Sequence, residues 1–323
     1  MASQGQGNQT SITEFILLGF GELPGLQVPL FLLFIMIYLM TMAGNILILA
    51  LVVADRHLHT PMYFFLGNLS CLEICYSSTL LPQLLAGLLT GAWTISFTGC
   101  LTQYYFFGAL LVTECLLLSV MSYDRYLAIC NPLHYAAQMS GRSCLQLAGG
   151  SWTGGFLACS ITALPLSQLT FCGPNTIDHF LCDFIPLVKL SCNDPLLMDT
   201  LAFSACLVLI LVPFLLTSVS YICIISTILR IPSTTGRQKA FSTCSSHLIV
   251  VSVYYGALLI AYMFPTTDLP SNFKKVLSVS YTVLMPLVNP LIYALRNREV
   301  QEALCKTCRK LRFPRYWPIG LLR

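Results

Sequence analysis

Charge is what this chain has little of. Of its 323 residues, 17 are Lys or Arg and 13 are Asp or Glu, so 9% are charged, against about 25% in a soluble globular protein. That scarcity excludes a soluble domain, and on the same grounds argues against a disordered chain or a nucleic-acid binder. The first 22 residues lack a basic segment followed by an apolar stretch, so no cleaved signal peptide is expected and the first span should direct its own insertion. No internal repeat is found, as an inverted-repeat transporter would require. The five histidines, His57, His59, His134, His179 and His247, form no metal pair within an apolar run. No nucleophile and base share one membrane depth either, which argues against a membrane enzyme.

What is abundant is apolar material: 56% hydrophobic residues and a mean hydropathy of +0.76, more than one core could bury. Uncharged runs extend over 23–54, 74–113, 143–177, 200–229, 240–267 and 276–295. A bilayer-spanning helix needs about 20 apolar residues. The run 74–113 is too long for one span and is interrupted around Gly87, Gly91, Trp93 and Gly99, so it ends one helix and begins the next. The reading is an all-α membrane protein with seven spans at 27–53, 61–85, 98–130, 143–165, 200–230, 239–264 and 273–295. This divides the chain into an extracellular tail (1–26), a seven-helix domain (27–295) and a cytosolic juxtamembrane helix and tail (296–323).

With the C-terminus inside, fourteen Lys and Arg fall on the cytosolic side and only Lys189, Lys274 and Lys275 outside. This positive-inside bias puts the N-terminus outside. Asn8-Gln9-Thr10 is then a glycosylation sequon on the outer tail, whereas Asn68-Leu69-Ser70 falls within a span. Most of the fifteen cysteines lie in spans, where Cys acts as a small hydrophobe. Cys100, Cys172, Cys182 and Cys192 lie outside, and spacing leaves all three pairings open. The segment from about Leu166 to Asp199 is too long for a simple connector and is expected to fold over the outer mouth. His179, Cys182 and Asp183 have metal-ligand spacing, but a disulfide would consume the Cys182 sulfur, and no metal is expected.

Specific motifs then enter. MSYDRYLAIC occupies Met121 to Cys130, PLVNPLIY occupies Pro286 to Tyr293, Gly44-Asn45 lies in the first span and Trp152 in the fourth. LHTPMYFFLGNLS (58–70), NPLHY (131–135) and KAFSTCSSHL (239–248), with the three-cysteine outer loop, narrow the pattern. Together they resemble a vertebrate olfactory receptor of the tetrapod group, within the rhodopsin-like G-protein-coupled receptors, over about 15–297. Two departures stand out. Glu73 replaces the family's usual Asp, and Tyr254-Tyr255-Gly256 stands where most rhodopsin-like receptors carry a Trp-containing motif. The second is itself typical of olfactory receptors.

The resemblance implies a multi-pass plasma-membrane receptor, with no enzymatic activity and no nucleic-acid partner. It implies binding of small, volatile, mostly apolar molecules in the outer half of the bundle and activation of an olfactory Gs-type G protein that raises cAMP. A rhodopsin-like receptor for a non-odorant small ligand is the alternative. The implied ligand set is Phe107, Gly108, Leu111, Val112, Ala205, Cys206, Tyr255, Leu258, Tyr262 and Thr282, which contains no charge. The implied activation switch is Asp124, Arg125, Tyr126, Tyr221, Asn289, Pro290 and Tyr293, with Arg125 held by Asp124 at rest. Pro213 and Pro290 each remove a helix hydrogen bond and kink their spans. The two intramembrane acids, Glu73 and Glu114, need pairing, hydration or a proton; resemblance places them facing one another near Asn45, Asn289 and Ser119 or its neighbours, where they could bind Na⁺ or share a proton. No other cofactor is implied. The implied disulfides are Cys100–Cys182 and Cys172–Cys192. Cys305 and Cys308 suit palmitoylation or a short amphipathic surface helix.

Overall fold

In lipid every backbone polar group must be satisfied within the segment, so the apolar runs are forced into helices. The computed structural model describes residues 13–21, 25–171, 174–193, 195–263, 270–296 and 298–312. Its helices are α1 (Gln27–Ala54), α2 (Pro61–Thr90), α3 (Phe97–Cys130), the short α4 (Pro132–Gln138) and α5 (Gly141–Ser167). They continue with the loop helix α6 (Phe184–Leu190), α7 (Pro195–Cys206), α8 (Val212–Leu229), α9 (Thr234–Met263), α10 (Ser271–Val279), α11 (Met285–Arg296) and α12 (Arg298–Arg312). A π-helical turn, Leu207–Leu211, joins α7 to α8, and another, Ser280–Leu284, joins α10 to α11. The fifth and seventh spans are therefore continuous helices with one widened turn each.

Local chemistry sets the ends. Pro61 opens α2, where its missing N–H costs nothing. Gly91, at φ +70°, closes it by donating to the Gly87 carbonyl. Ser96 caps α3 by accepting from Gly99 N at 3.1 Å, and Ser140 caps α5 through Ser143 N. Helices overrun the sequence-derived spans at several ends: the second reaches Thr90 rather than 85, the fifth starts at Pro195 and the sixth at Thr234. Helical hydrogen bonding continues into the interfacial layer after the apolar residues stop.

Six of the spans are both long and apolar enough to cross a bilayer. The remaining span, the fourth in chain order (α5), has 27 residues but is rich in Gly, Ser and Thr, which lowers its hydropathy. Those small residues serve packing. A Cβ at Gly155 would fall 2.6 Å from the Ala109 carbonyl of α3, and at Gly154 3.3 Å from Leu116. Helix α3 is the axis of the bundle: 67% of its apolar window is buried, against 22% for peripheral α1.

The outer face carries a feature absent from the sequence reading. Part of the expected tail is a strand, β1 (Glu14–Leu17), between β2 (Thr94–Ser96) and β3 (Thr176–Ile177). It pairs antiparallel with β2 and parallel with β3. Phe15 and Leu17 point inward, 0% and 1% exposed, and Phe15 packs on Phe97 and Phe171. The N-terminal segment thus ties the first outer loop to the second.

Candidate functional site

The Cys100–Cys182 disulfide, with a Cα–Cα distance of 5.5 Å, pins the long loop onto the top of α3. Gln103 reinforces it: its Oε1 accepts from Cys182 N at 3.0 Å while its Nε2 donates to Gln83 of α2 at 2.6 Å. Cys192 is also disulfide-bonded, and its expected partner Cys172 lies outside the described residues, as does Asn8. With Cys182 so engaged, the His179, Cys182, Asp183 spacing cannot supply a thiolate, and no metal-ligating group occurs among the described residues.

Beneath the pinned loop lies an inner cavity of about 100 Å³, between α3, α5, α7 and α9. Its walls include Phe107, Gly108, Leu111, Val112, Ala205, Cys206 and Tyr262, seven of the ten residues in the implied ligand set. The other three are placed elsewhere. Tyr255 is wholly buried, its hydroxyl donating to the Cys115 carbonyl at 2.8 Å and lying 3.2 Å from Ser119 Oγ. Leu258 is fully buried in the same core. Thr282 hydrogen-bonds its own helix through the Ser278 carbonyl. A seven-residue step along α9 puts Tyr255 two turns below Tyr262, beneath the cavity instead of in its wall.

The cavity also corrects the charge-free expectation. Asp183 lines it, buried, with Oδ1 accepting from Phe184 N at 2.7 Å and Oδ2 from the Tyr262 hydroxyl at 2.8 Å. Burial raises the Asp183 carboxyl above the ordinary carboxylate range. Asp183 and Tyr262 also line an outer cavity of about 330 Å³ between the loop, α9 and α10, so this pair, with Ile185, lies between the two spaces. In the outer wall His179 is buried, its Nε2 3.1 Å from Ser278 Oγ, and burial lowers it to about 4. The Lys275 ammonium on Asp178, at 2.6 Å, holds that carboxyl below its ordinary value.

Deeper in the bundle, Glu73 and Glu114 are both fully buried. Asn289 Nδ2 donates to Glu73 Oε1. Among the described residues, none donates a hydrogen bond to Glu73 Oε2, either Glu114 oxygen or Asn289 Oδ1. Asn45 instead donates to the carbonyls of Thr41 and Pro286, at 3.0 and 3.1 Å, clamping α1 to α11. Ser119 is not part of this group. It joins α3 to the fifth and sixth spans, donating to the Pro213 carbonyl at 2.9 Å and lying 3.0 Å from Thr217 Oγ1. Pro213 cannot donate to its own helix, and here its carbonyl accepts from another.

At the cytosolic end Arg125 is paired with Asp124, Nε donating to Oδ2 at 3.0 Å. Tyr135 of α4 donates to Asp124 Oδ1 at 2.8 Å, so the short inner helix buttresses the pair. Tyr126 accepts from Asn131. Tyr221 is bonded to His247 of α9, and Tyr293 is buried. Pro290 lies inside α11 against Gly44 of α1, where a Cβ would sit 3.3 Å from the proline ring.

A family model described as "Olfactory receptor" matches residues 34–310. The chain belongs to the olfactory receptor family. It is 49% identical over 300 residues to human olfactory receptor 10A7, covering 93% of this chain and 95% of that one. Human olfactory receptor 6F1 is 50% identical over 300 residues, at 93% and 97% coverage. Mouse olfactory receptor 6Z7 is 48% identical, at 93% and 96%. It is therefore a multi-pass plasma-membrane receptor with a seven-transmembrane bundle, and it is not an enzyme.

Three residues of this receptor escaped the sequence reading. Asp183 was seen only as a metal candidate, although an acid next to a disulfide cysteine in a loop over the mouth was a usable sign. His247 stands in the quoted 239–248 motif without an assigned role, and it is the partner of Tyr221. Tyr63, within the quoted 58–70 motif, donates to Glu299 Oε2 of α12 at 2.7 Å. With Lys306 3.6 Å from Asp55 Oδ2, that bond docks the surface helix. Cys305 is exposed on α12, and the Cys308 side chain lies outside the described residues.

Proposed function

We propose that this receptor binds a small, volatile, mostly apolar molecule in the inner cavity and signals through an olfactory Gs-type G protein to raise cAMP. The observation that carries the ligand half is the cavity itself: a space beneath the loop walled by Phe107, Leu111, Val112 and Ile210, with one hydroxyl–carboxyl pair, Tyr262 and Asp183. Apolar walls with a few convergent polar groups are the general form of a small-molecule site. Shape and burial supply affinity there, and Asp183 or Tyr262 orients a polar end.

The coupling half is supported by the inner face. Arg125 is held by Asp124, itself held by Tyr135, so an outward movement of α9 would expose a guanidinium whose planar fork can bond carbonyls of a G protein. The Glu73, Glu114 and Asn289 oxygens left without hydrogen bonds are hard donors that suit Na⁺ or a shared proton, a setting that would bias the resting state.

The test is a cAMP reporter in cells expressing the receptor, screened against a broad volatile panel and a matched set of involatile small molecules, with Arg125→Ala at equal surface density. Activation by apolar volatiles, abolished in Arg125→Ala, supports the reading. Responses confined to involatile ligands favour the non-odorant alternative, and an unchanged Arg125→Ala response overturns the switch.

A further inference from the structure

On the membrane face of the bundle, between α3, α5 and α8, runs a groove of about 820 Å³ bounded by residues such as Leu116, Tyr126, Gln146, Gly150, Val219 and Cys223. We propose that this groove is a binding site for one acyl chain of an anionic phospholipid of the inner leaflet, with the headgroup at Arg142 and Gln146. The groove is separate from both outer cavities and from the residues that couple to the G protein, apart from Tyr126 at its lower end.

Depth and length select the occupant. Leu116 to Tyr126 covers about 15 Å of α3 at 1.5 Å per residue, which is half of the roughly 30 Å hydrocarbon core. The groove therefore runs from mid-membrane to the cytosolic interface, the depth of one leaflet. Its walls are mostly apolar, broken by the small hydroxyls of Ser119, Ser151 and Ser220, and the larger polar groups lie near the cytosolic end, where Gln146 of α5 is exposed and Tyr123 lines the edge.

Charge selects the headgroup. Arg142 precedes Gln146 by four residues, so the two share a face of α5 one turn apart. Arg142 is exposed and forms no ion pair among the described residues. A cation at the cytosolic interface meets a leaflet rich in anionic lipid. A guanidinium with an amide beside it can hold a phosphate and a carboxylate together.

The floor of the groove includes Ser119, which bonds Thr217 and reaches Tyr255. A chain seated there would press on the contact between α3 and α9, giving the lipid a route to receptor activity. Gly150 provides a clean probe, because a Cβ added there meets no atom within 4 Å. Gly150→Leu is therefore expected to project its side chain into the groove from a position where the Cβ is accommodated.

The experiment places the full-length receptor in nanodiscs with phosphatidylserine carrying a diazirine on its acyl chain, beside a matched phosphatidylcholine probe. Expected is several-fold higher labelling by phosphatidylserine on α3 and α8 peptides spanning Leu116 to Tyr126 and Val212 to Cys223. Gly150→Leu should cut that labelling several-fold, and Arg142→Ala should erase the preference for phosphatidylserine. Equal labelling by the two probes, or labelling unchanged in Gly150→Leu, overturns the proposal. So does displacement by cholesterol without displacement by unlabelled phosphatidylserine.

Discussion

The Tyr262 hydroxyl donates to Asp183 Oδ2 at 2.8 Å, bridging the outer end of α9 to the loop residue that follows the disulfide cysteine Cys182. The loop is anchored to α3 by Cys100–Cys182, so this bond makes the sixth span feel the position of the third. Both cavities are lined by this pair.

Tyr262→Phe is expected to change which volatiles activate the receptor. The lost hydrogen bond is worth about 0.5–1.5 kcal/mol, or roughly a 2- to 10-fold shift in potency, felt most by ligands with a polar end. Asp183→Asn should shift the same ligands. Dose–response curves for several agonists, normalised to surface density, check this; uniform shifts across all agonists would remove Tyr262 from specificity.

Tyr255→Phe should act differently, because Tyr255 sits below the inner cavity. Its hydroxyl ties α9 to the Cys115 carbonyl and Ser119 of α3. An agonist shifts a two-state equilibrium only through differential affinity for the two states, and the coupling bond sets how far that shift is transmitted. Lower maximal responses to every agonist, with potency nearly preserved, are expected in the same assay. Ligand-selective potency shifts with intact maxima would make Tyr255 an ordinary neighbour of the site. The conservative Phe variant is chosen because an aromatic-to-Ala change in a core costs about 3–5 kcal/mol.

These two tyrosines show what the sequence could and could not display. Charge-free runs located all seven spans because lipid enforces helices, and motif depth located Asp124–Arg125 and the region of Asn289. Seven of the ten implied ligand residues converge on one cavity because α3, α7 and α9 present fixed faces to it. Tyr255, seven residues before Tyr262 on the same face of α9, lies deeper and is bonded to α3, because helical periodicity fixes a face and not a depth. Asp183, the β1 strand and the Tyr221–His247 bond depend on how separate segments meet, and no local pattern encodes that.

Acidifying the outer solution should weaken the extracellular cap. His179 is lowered to about 4 by burial, with Lys275 adding repulsion and Asp178 opposing it. The unfolded chain therefore binds more protons than the folded one between an ordinary His value of about 6.5 and about 4, and stability falls as pH drops through that window. Asp178, held low by Lys275, adds a loss of the same sign below about 3.8. Asp183, raised by burial, has the opposite sign and weakens the fold as pH rises above that value. From pH 7.5 to pH 5 the His179 contribution amounts to about 2 kcal/mol. Thermal melts of purified receptor should show the loss, and His179→Gln should flatten it; an equal loss in the variant would assign the sensitivity elsewhere.

Sodium should matter through Glu73. Glu73 Oε1 takes a hydrogen bond from Asn289, while Glu73 Oε2 and both Glu114 oxygens take none among the described residues. Two buried acids at one depth require a counter-charge or a proton. If Na⁺ supplies the charge, it joins α2, α3 and α11 and favours the closed arrangement, since activation must move α11 against the others. Replacing external and internal Na⁺ with N-methylglucamine should then raise basal cAMP and shift agonist potency leftward. Glu73→Gln removes one charge while keeping a donor and an acceptor toward Asn289, so it should abolish the Na⁺ dependence with surface expression retained. A wild-type receptor indifferent to Na⁺ but responsive to cytosolic pH would assign the pair to a shared proton instead. A Glu73→Gln receptor that keeps the full Na⁺ response would show that the ion acts at another place.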